Sequence, residues 1–333
     1  MAPAQLSPAR RTFAILFLLG AIVFAVPAAG ALLLGASARL QVLNTVTVQL
    51  ASFAHFGIIG WALALVLALA SVALARRRLL TLLTLPLIAG LVWQLSWLTP
   101  YVRADPIPDH AEPMTVAAIN IEHGEANLDQ FEAHTAAAEV VVVIEITDAV
   151  RARLVERGFG RSHPHQVHLR TGIHGTSIYS RFPLDDLGAP DTVFASPLVR
   201  VHHSSGPIVV MGVHPINPMG GKTRWLQEAE RLRAYIEPHL DEPLVLAGDF
   251  NSIDRHITMR RLVEGDGLRS TAALTGDGAP RTWPVRGPGS GLGPLIGIDH
   301  VLISPSVTAL SHQQFRIDDT DHEGLLVTVA KRV

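Results

Sequence analysis

The first 100 residues are dominated by three long runs of uncharged, mostly apolar residues. These runs cover residues 13–36, 50–75 and 79–99. Each exceeds the roughly 20 residues that a helix needs to cross the hydrocarbon core of a bilayer. A buried helix of a soluble core would not give three such runs separated by arginines. The pattern therefore predicts a membrane segment over residues 1–100 with three transmembrane helices.

The arginines between these runs indicate how the segment is oriented. Arg10 and Arg11 precede the first run, Arg76–Arg78 separate the second from the third, and only Arg39 lies between the first two. The positive-inside rule places the N-terminus and Arg76–Arg78 in the cytoplasm. The stretch Ala25–Ala31 also fits a signal-peptide cleavage site, but cleavage there would not change this orientation. We predict a multi-pass protein of the cell membrane whose remaining chain lies on the extracytoplasmic side.

After residue 113 the apolar runs become short and alternate with amphipathic stretches. Residues 128–138 and 223–236 have the spacing of helices, and residues 276–297 form a loop rich in Gly and Pro. Residues 101–113, which contain three prolines, are predicted to be a linker. Short β-like runs occupy residues 114–121, 140–144, 177–179, 209–213, 244–249, 298–304 and 325–329. Strands mixed with helices indicate a single α/β sandwich domain over residues 114–333.

Charge divides the chain at the same place as hydrophobicity. The first 100 residues hold six of the 27 basic residues and none of the 29 acidic residues, so the remainder carries a formal net charge of −8. The chain has no cysteine, which excludes disulfides, thiolate catalysis and zinc sites with cysteine ligands. The acidic balance disfavours avid binding of nucleic acid, because that affinity comes mainly from Lys and Arg.

Polar residues recur where the predicted strands end. In an α/β protein the strand ends at one sheet edge are the usual place for chemistry. Carboxylate and amide oxygens suit Mg²⁺ or Mn²⁺, whereas zinc more often recruits several His or Cys. A carboxylate paired with a late histidine suits an oriented acid–base group. The set comprises Asn120, Glu122, Glu145, His214, Asp249, Asn251, Asp299, Asp321 and His322.

Seven short motifs, in the same order along the chain, resemble those of the endonuclease/exonuclease/phosphatase superfamily. The motifs are Ala118–Glu122, Val142–Glu145, Gly175–Pro183, Gly212–His214, Gly248–Asn251, Ile298–Val301 and Thr320–His322. The resemblance implies a four-layer α/β sandwich, in which two packed mixed β-sheets are flanked by helices. It also implies a metal-dependent hydrolase that cleaves a phosphodiester or phosphomonoester by in-line attack of activated water. The hydrophobic N-terminus is similar to that of membrane-anchored bacterial members.

The resemblance assigns four residues to a metal site that takes Mg²⁺, or Mn²⁺ in its place. Glu145 matches the metal-binding glutamate of the family, and Asn120 matches the asparagine that helps to position metal and phosphate. Glu122 stands where some members have an aspartate, and a surface role fits it nearly as well. Asp321 resembles an accessory carboxylate of the family, which either binds the metal or accepts a hydrogen bond.

Five residues match the family's catalytic and phosphate-binding positions. Asp249 matches the aspartate that orients or deprotonates the attacking water, and Asn251 the amide that holds the phosphate or that water. His322 matches the essential histidine, and Asp299 the carboxylate that fixes its tautomer. His214 occupies a position where the family has His or Tyr in contact with a phosphate oxygen.

The sequence does not identify the substrate. A domain held close to a bilayer suits a lipid head group, while extracellular nucleic acid and a small organic phosphate remain alternatives. An extracytoplasmic nuclease and a non-catalytic membrane protein with a degenerate enzyme domain are the rival functions. The bilayer is the expected partner through the N-terminal helices, and no protein partner is predicted.

Five histidines outside the strand-end set lie in polar stretches of the chain. Three crowd the segment after Ser162, and two are adjacent further on. A solvated surface is the expected environment for all of them, because exposed His is common in such stretches. They are His163, His165, His168, His202 and His203.

Overall fold

The computed structural model of the chain describes residues 7–76, 78–109, 111–287 and 290–333. Arg77 of the arginine cluster, His110 of the predicted linker and residues 288–289 of the Gly/Pro loop lie outside the described residues. The chain divides into two compact units, Met1–Thr99 and Pro100–Val333.

The first unit is helical. Two of its helical stretches, Pro8–Ala36 and Ala54–Ala75, are long and apolar enough to cross a membrane, and the first also fits a signal sequence. The third predicted span is divided between a 3₁₀ turn and a helix of 13 residues, which is shorter than a membrane crossing. The α-helices are α1 (Pro8–Ala36), α2 (Ala38–Gln41), α3 (Thr45–Ala51), α4 (Gly57–Ala75) and α5 (Thr84–Ser96), and the 3₁₀ helices are Ala54–Phe56 and Arg78–Leu83.

Small residues line the contact between α1 and α4. Their short side chains let the two backbones approach closely, as is usual for helices packed in an apolar environment. The hydroxyl of Ser71 donates a hydrogen bond to the carbonyl of Ala14 at 2.7 Å, so this buried polar group is satisfied. The other small buried residues of the two helices include Ala21, Ala28, Ala64 and Ala68.

The second unit contains twelve strands among its described residues. They are β1 (Met114–Asn120), β2 (Val140–Ile144), β3 (His165–Leu169), β4 (Thr176–Ser180), β5 (Leu184–Asp186), β6 (Leu198–Val201), β7 (Ile208–Val213), β8 (Leu244–Asp249), β9 (Arg269–Ser270), β10 (Asp299–Ile303), β11 (Val307–Phe315) and β12 (Gly324–Lys331). The α-helices are α6 (Leu128–Thr135), α7 (Asp148–Arg157), α8 (Phe159–Ser162), α9 (Lys222–Ile236), α10 (Ile257–Arg260) and α11 (Thr271–Thr275). Single turns of 3₁₀ helix occupy Thr99–Tyr101, Gly172–His174, Pro218–Gly220, Glu237–His239 and Ser290–Leu292, and a π-helical turn occupies Arg261–Gly265.

These strands form two six-stranded mixed sheets. The first has the order β11-β12-β1-β2-β4-β3 and the second the order β5-β6-β7-β8-β10-β9. Only the pairs β1–β2 and β7–β8 are parallel among the described pairings. The inner faces pack against each other through side chains such as Val142, Val210 and Val245.

Helices cover the outer faces of both sheets. Phe131 and Leu154, from α6 and α7, pack on the first sheet, and Leu232 of α9 packs on the second. Each helix presents an apolar stripe to a sheet and keeps its charged residues outside, which is why these sequences fold as they do. The predicted four-layer α/β sandwich is confirmed.

The strand registers bring the carboxyl ends of four strands to one edge. Asn120 ends β1 beside Ile144 of parallel β2, and Val213 ends β7 beside Gly248 of parallel β8. Asp299 of β10 lies directly opposite Asp249 in an antiparallel pair. The residues that follow these ends therefore meet at a single place in the domain.

The predicted linker is bound to the second unit along its length. The buried Tyr101 donates a hydrogen bond from its hydroxyl to Asp254 at 3.3 Å. The amide of Asp105 donates to the carbonyl of Leu274 at 2.8 Å, and the amide of Ala111 donates to that of Lys331 at 2.9 Å. These contacts make the segment part of the folded unit, because each one fixes its backbone against the sandwich.

Two of the five histidines expected at the surface are buried. His163 is 1 % exposed, stacks on Phe159 and lies 3.1 Å from the carbonyl of Ala138. His203 is 4 % exposed and lies 2.8 Å from the hydroxyl of Ser205. The expectation was wrong for these two because a buried imidazole is tolerated in a core where neighbouring groups supply hydrogen bonds to it.

Candidate active site

A carboxylate, an imidazole and a second carboxylate lie in line at the shared strand edge. His322 Nδ1 is 2.9 Å from Asp299 Oδ2, and His322 Nε2 is 3.8 Å from Asp249 Oδ2. Asp249 and Asp299 project to the same side because they are opposite each other on paired strands. All three side chains are buried, with 2 %, 2 % and 5 % exposed for Asp249, Asp299 and His322. The bond to Asp299 fixes the orientation of the imidazole.

The electrostatics of this line favour a charged His322 and a basic Asp249. Burial alone lowers the pKa of His322, but attraction to Asp299, Asp249 and Asp321 outweighs burial and raises it well above its usual range. Burial raises the pKa of Asp249, and repulsion from Asp299 and Glu145 adds to that rise although His322 opposes it. A carboxylate with a raised pKa is suited to accept a proton near neutral pH.

Asn120 connects the two sheets at the site. Its Nδ2 donates to Glu145 Oε1 and to Asp249 Oδ2, each at 3.2 Å. Glu145 has a left-handed backbone with φ of 59°, which costs a non-glycine residue on the order of 1 kcal/mol. The amide of His123 donates to Glu145 Oε2 at 3.1 Å and helps to hold this carboxylate in place.

His214 is buried beside both carboxylates and is neutral. Its Nε2 lies 3.8 Å from Glu145 Oε1 and 3.9 Å from Asp249 Oδ2. Burial lowers the pKa of His214 to about 3, and the charges of His322 and His174 add to this effect. Its Nδ1 has no hydrogen-bond partner among the described residues. The geometry therefore leaves Nε2 as the atom through which this ring can donate to a bound group.

Asn251 supports the site mainly through its backbone and its amide nitrogen. The backbone N–H donates to Asp249 Oδ1 at 2.7 Å, and Nδ2 donates to the carbonyl of Pro215 at 3.0 Å. With φ of 48° this residue turns sharply just after β8. It thus fixes the Asp249 carboxylate and the segment that follows His214.

Glu122 and Asp321 form an outer acidic pair next to His322. Arg286 donates from Nε to Glu122 Oε2 at 2.9 Å, and Trp283 donates from Nε1 to Asp321 Oδ2 at 2.8 Å. Asp321 Oδ1 lies 3.6 Å from His322 Nε2. Burial and the Asp321 charge raise the pKa of Glu122 against the opposing effect of Arg286. All nine residues singled out in the sequence thus belong to one cluster.

Four neighbours of this cluster were not predicted. His123 follows Glu122 directly, and its position next to a motif was the only signal it offered. Trp283 and Arg286 lie in the Gly/Pro loop, which has no periodic sequence pattern that would link them to the carboxylates to which they donate. Phe194 packs its ring 4.5 Å from that of His214, and its sequence context does not distinguish it from an ordinary core residue.

The donor atoms at the site fit a divalent cation. Asp249, Asp299 and His322 each offer one ligand atom, and these atoms lie within 4.8 Å of one another. Glu145 adds carboxylate oxygens beside them, and the Oδ1 of Asn120 accepts from the amide of Glu122 at 3.0 Å. Asp299 Oδ1 is buried without a hydrogen-bond partner among the described residues. Such a concentration of buried negative charge is costly unless a cation balances it.

Comparison with known proteins agrees with this geometry. The sequence profile of the Endonuclease/Exonuclease/phosphatase family matches residues 117–322. No curated protein matches the chain.

Solved structures with the same fold are distant in sequence. An endonuclease/exonuclease/phosphatase from Beutenbergia cavernae is 18 % identical with a TM-score of 0.52, covering 67 % of this chain and 72 % of its own. A 3′-phosphatase from Neisseria bound to product DNA hairpin is 16 % identical with a TM-score of 0.53, covering 64 % and 98 %. TDP2 from D. rerio, complexed with single-strand DNA product, is 16 % identical with a TM-score of 0.51, covering 66 % and 100 %.

Proposed function

The chain belongs to the endonuclease/exonuclease/phosphatase family, whose members hydrolyse phosphoester bonds, and we propose from this premise that it is a membrane-anchored, divalent-metal-dependent phosphoesterase, which hydrolyses a phosphodiester or a phosphomonoester by in-line attack of activated water. The line of Asp249, His322 and Asp299 beside Glu145 is the observation that carries the proposal. It combines a proton acceptor, a cationic group and oxygen ligands within one buried cluster.

Asp249 is the residue proposed to orient and deprotonate the attacking water. Its raised pKa allows it to accept a proton, and the N–H of Asn251 holds one of its oxygens at 2.7 Å. A positioned general base of this kind contributes about 10²–10⁴-fold to the rate. The other oxygen faces His322, so the charge on Asp249 is balanced before the proton arrives.

His322 and His214 are proposed to stabilise the charge that develops on the phosphoryl oxygens. His322 is held protonated by Asp299, and so it supplies a positive charge with a fixed direction. His214 is neutral and supplies a hydrogen-bond donor from Nε2 without adding charge. Preorganised groups of this kind favour the transition state because they do not reorganise as the charge forms.

Glu145 and Asn120 are the proposed holders of the metal, with Glu122 and Asp321 as accessory carboxylates. Bound Mg²⁺ or Mn²⁺ would supply Lewis-acid polarisation of the phosphoryl group. The hard oxygen donors of this set favour such ions over zinc. Asn120 donates to both Glu145 and Asp249, which aligns the metal-binding carboxylate with the proton acceptor.

Removal of divalent metal is expected to abolish hydrolysis without unfolding the chain. The full chain in detergent, treated with EDTA, should lose turnover of bis(4-nitrophenyl) phosphate, and added Mg²⁺ should restore it. Because an ion that binds only the folded state stabilises it, Mg²⁺ should also raise the Tm. Undiminished turnover in EDTA would refute the metal-dependent mechanism. A folded chain that shows neither turnover nor a Tm response would favour the non-catalytic alternative.

We further propose that the N-terminal unit anchors the protein as a multi-pass segment and that the catalytic unit lies outside the cytoplasm. The two long apolar helices and the arginines that flank them support anchoring with the N-terminus and Arg76 in the cytoplasm. A catalytic unit outside the cytoplasm then requires the third apolar run, residues 79–99, to cross as well, and this crossing, with its 13-residue helix, stays a prediction.

The cysteine-free chain allows a direct test of this topology. Val155 and Arg76 are both exposed and lie in different units, and Arg76 stands between the second and third apolar runs, so each can be replaced by a single cysteine. In intact cells a membrane-impermeant maleimide should label Val155→Cys and not Arg76→Cys, which should react only after permeabilisation. Labelling of both in intact cells, or of neither, would contradict the proposed topology.

A further inference from the structure

His123 places an imidazole next to the carboxylate that is proposed to hold the metal, and the mechanism above gives this ring no role. Its Nε2 lies 3.6 Å from Glu145 Oε2. The side chain of His123 is 53 % exposed, whereas that of Glu145 is 13 % exposed. The ring is therefore accessible to solutes and faces the carboxylate from the solvent.

The gap between the two side chains is the size that a shared cation fills. At 3.6 Å it is too long for a hydrogen bond, which joins such atoms at about 2.7–3.2 Å. Elsewhere in the same unit His202 Nε2 lies 2.9 Å from Asp185 Oδ2, which is an ordinary bond between an imidazole and a carboxylate. Two ligand atoms that each lie about 2.1 Å from one ion are about 3–4 Å apart.

The backbone after β1 turns in an unusual way that brings this ring to Glu145. Glu122, His123 and Gly124 follow one another in the left-handed region, with φ of 41°, 56° and 81°. That conformation is unfavourable for the two residues that are not glycine. It points the backbone N–H of His123 at Glu145 Oε2, at 3.1 Å, so the main chain and the ring of one residue approach the same oxygen. Strained backbone of this kind is typical of functional sites, where it places a group that the chemistry needs.

An imidazole at this place changes the set of donor atoms around the metal. Its neighbour Glu122 has one oxygen already engaged, because Oε2 accepts from Arg286 Nε at 2.9 Å. Carboxylate oxygen suits both Mg²⁺ and Mn²⁺, but imidazole nitrogen suits transition-metal ions, whereas Mg²⁺ binds through oxygen. A site with one oxygen and one nitrogen ligand from the protein leaves the other positions of the ion to water and phosphate oxygens, as is usual for ions that act on phosphate.

We propose that His123 is a nitrogen ligand of the active-site metal, which it holds together with Glu145, and that it shifts the preference of the site from Mg²⁺ towards Mn²⁺. This inference rests on the proposed function, because it concerns the same metal. A neutral imidazole coordinates through the lone pair of Nε2, the atom that faces Glu145. The matched motif Ala118–Glu122 ends just before His123, so this ligand lies outside the motifs that carry the resemblance.

A nitrogen ligand can be observed directly when the full chain in detergent is loaded with Mn²⁺. Pulsed electron paramagnetic resonance should detect hyperfine coupling between Mn²⁺ and an imidazole nitrogen in the unmodified chain. His123→Asn should remove this coupling, because asparagine accepts the left-handed backbone and offers an oxygen in place of the ring nitrogen. His202→Asn, at an exposed histidine that also pairs with a carboxylate, is the matched control and should keep the coupling.

Metal affinity gives a second readout, which a merely structural residue would not produce. In His123→Asn the dissociation constant for Mn²⁺ should rise about tenfold or more, whereas that for Mg²⁺ should stay within about twofold. Both constants are measured by calorimetric titration of the full chain. His123→Gly keeps the backbone N–H that donates to Glu145 and relieves the strain at this position, so it should show the same selective loss even if the asparagine variant folds poorly.

Three results would overturn the inference. The first is the absence of nitrogen coupling in a chain that binds Mn²⁺, and the second is a coupling that persists in His123→Asn, which would assign the nitrogen ligand to His322 or another histidine. The third is an equal loss of affinity for Mn²⁺ and Mg²⁺ in both variants, which would indicate a structural role. Failure of the unmodified chain to bind either ion would instead refute the metal-dependent mechanism, and the inference with it.

Discussion

The variant Asp249→Asn is expected to lower kcat on a phosphodiester by about 10²–10⁴-fold. Asparagine has the shape of aspartate, and its carbonyl oxygen can still accept from the N–H of Asn251. The change therefore removes the proton acceptor and the charge opposite His322 while it preserves the packing of a side chain that is 2 % exposed. The measurement is steady-state turnover of bis(4-nitrophenyl) phosphate at saturating Mg²⁺.

The matched control for this prediction is Asp241→Asn, at an exposed aspartate in the turn before β8. It changes the same functional group and the net charge equally, and it should leave kcat within about twofold, as most surface changes do. If Asp249→Asn kept the turnover of the unmodified chain, Asp249 would not be the proton acceptor. Another group of the cluster would then have to accept the proton.

The sheet edge at which the site forms was predictable because the apolar runs of β1, β2, β7 and β8 are easy to recognise in the sequence. Strands buried on both faces read as continuous apolar runs, and such a run followed by a polar residue marks its end. Val140–Ile144, directly before Glu145, is the clearest example. The resemblance to the endonuclease/exonuclease/phosphatase superfamily then predicted that the ends of these strands surround one site.

Three of the strands that were missed, β3, β5 and β11, lie at sheet edges, where tertiary contacts override the local pattern. β11 is an edge strand of nine residues whose register shifts between Ala309 and Ser311, so its alternation of buried and exposed residues is broken. β3 is an edge strand with two histidines and a glutamine, and β5 contains two aspartates. A sequence of this kind becomes a strand because a neighbour offers backbone partners, which cannot be read from the strand itself.

The parts of the site that the sequence did not reveal are those supplied by irregular segments. From the Gly/Pro loop, Arg286 donates to Glu122 and Trp283 donates to Asp321. Trp283 and Asp321 are 38 residues apart in the sequence. Loop conformation depends on many weak contacts, so the partner of a loop side chain has no periodic signature. Residues on strands keep a fixed direction, and this is why the strand-end carboxylates were found and their loop partners were not.

Glu145→Gln is expected to weaken the response to Mg²⁺ and to lower kcat by at least about 100-fold. The glutamine amide keeps an oxygen for the bond from Asn120 Nδ2, but it lacks the charge that a divalent cation prefers. We expect the Mg²⁺ concentration for half-maximal activity to rise and the Mg²⁺-dependent increase in Tm to shrink. Both are read from metal titrations of the full chain in detergent. The control is Glu156→Gln, at an exposed position of α7, which should change neither quantity.

The two variants separate proton acceptance from metal binding because the two carboxylates sit on different sheets. Asn120 is the link between them, with one hydrogen bond of 3.2 Å to each. Glu145→Gln should therefore shift the Mg²⁺ dependence, whereas Asp249→Asn should lower turnover at every Mg²⁺ concentration with little shift. If Glu145→Gln lowered kcat without changing either metal titration, the cation would instead be held by the cluster of Asp249, Asp299 and His322. In that case Glu145 would act by positioning Asn120.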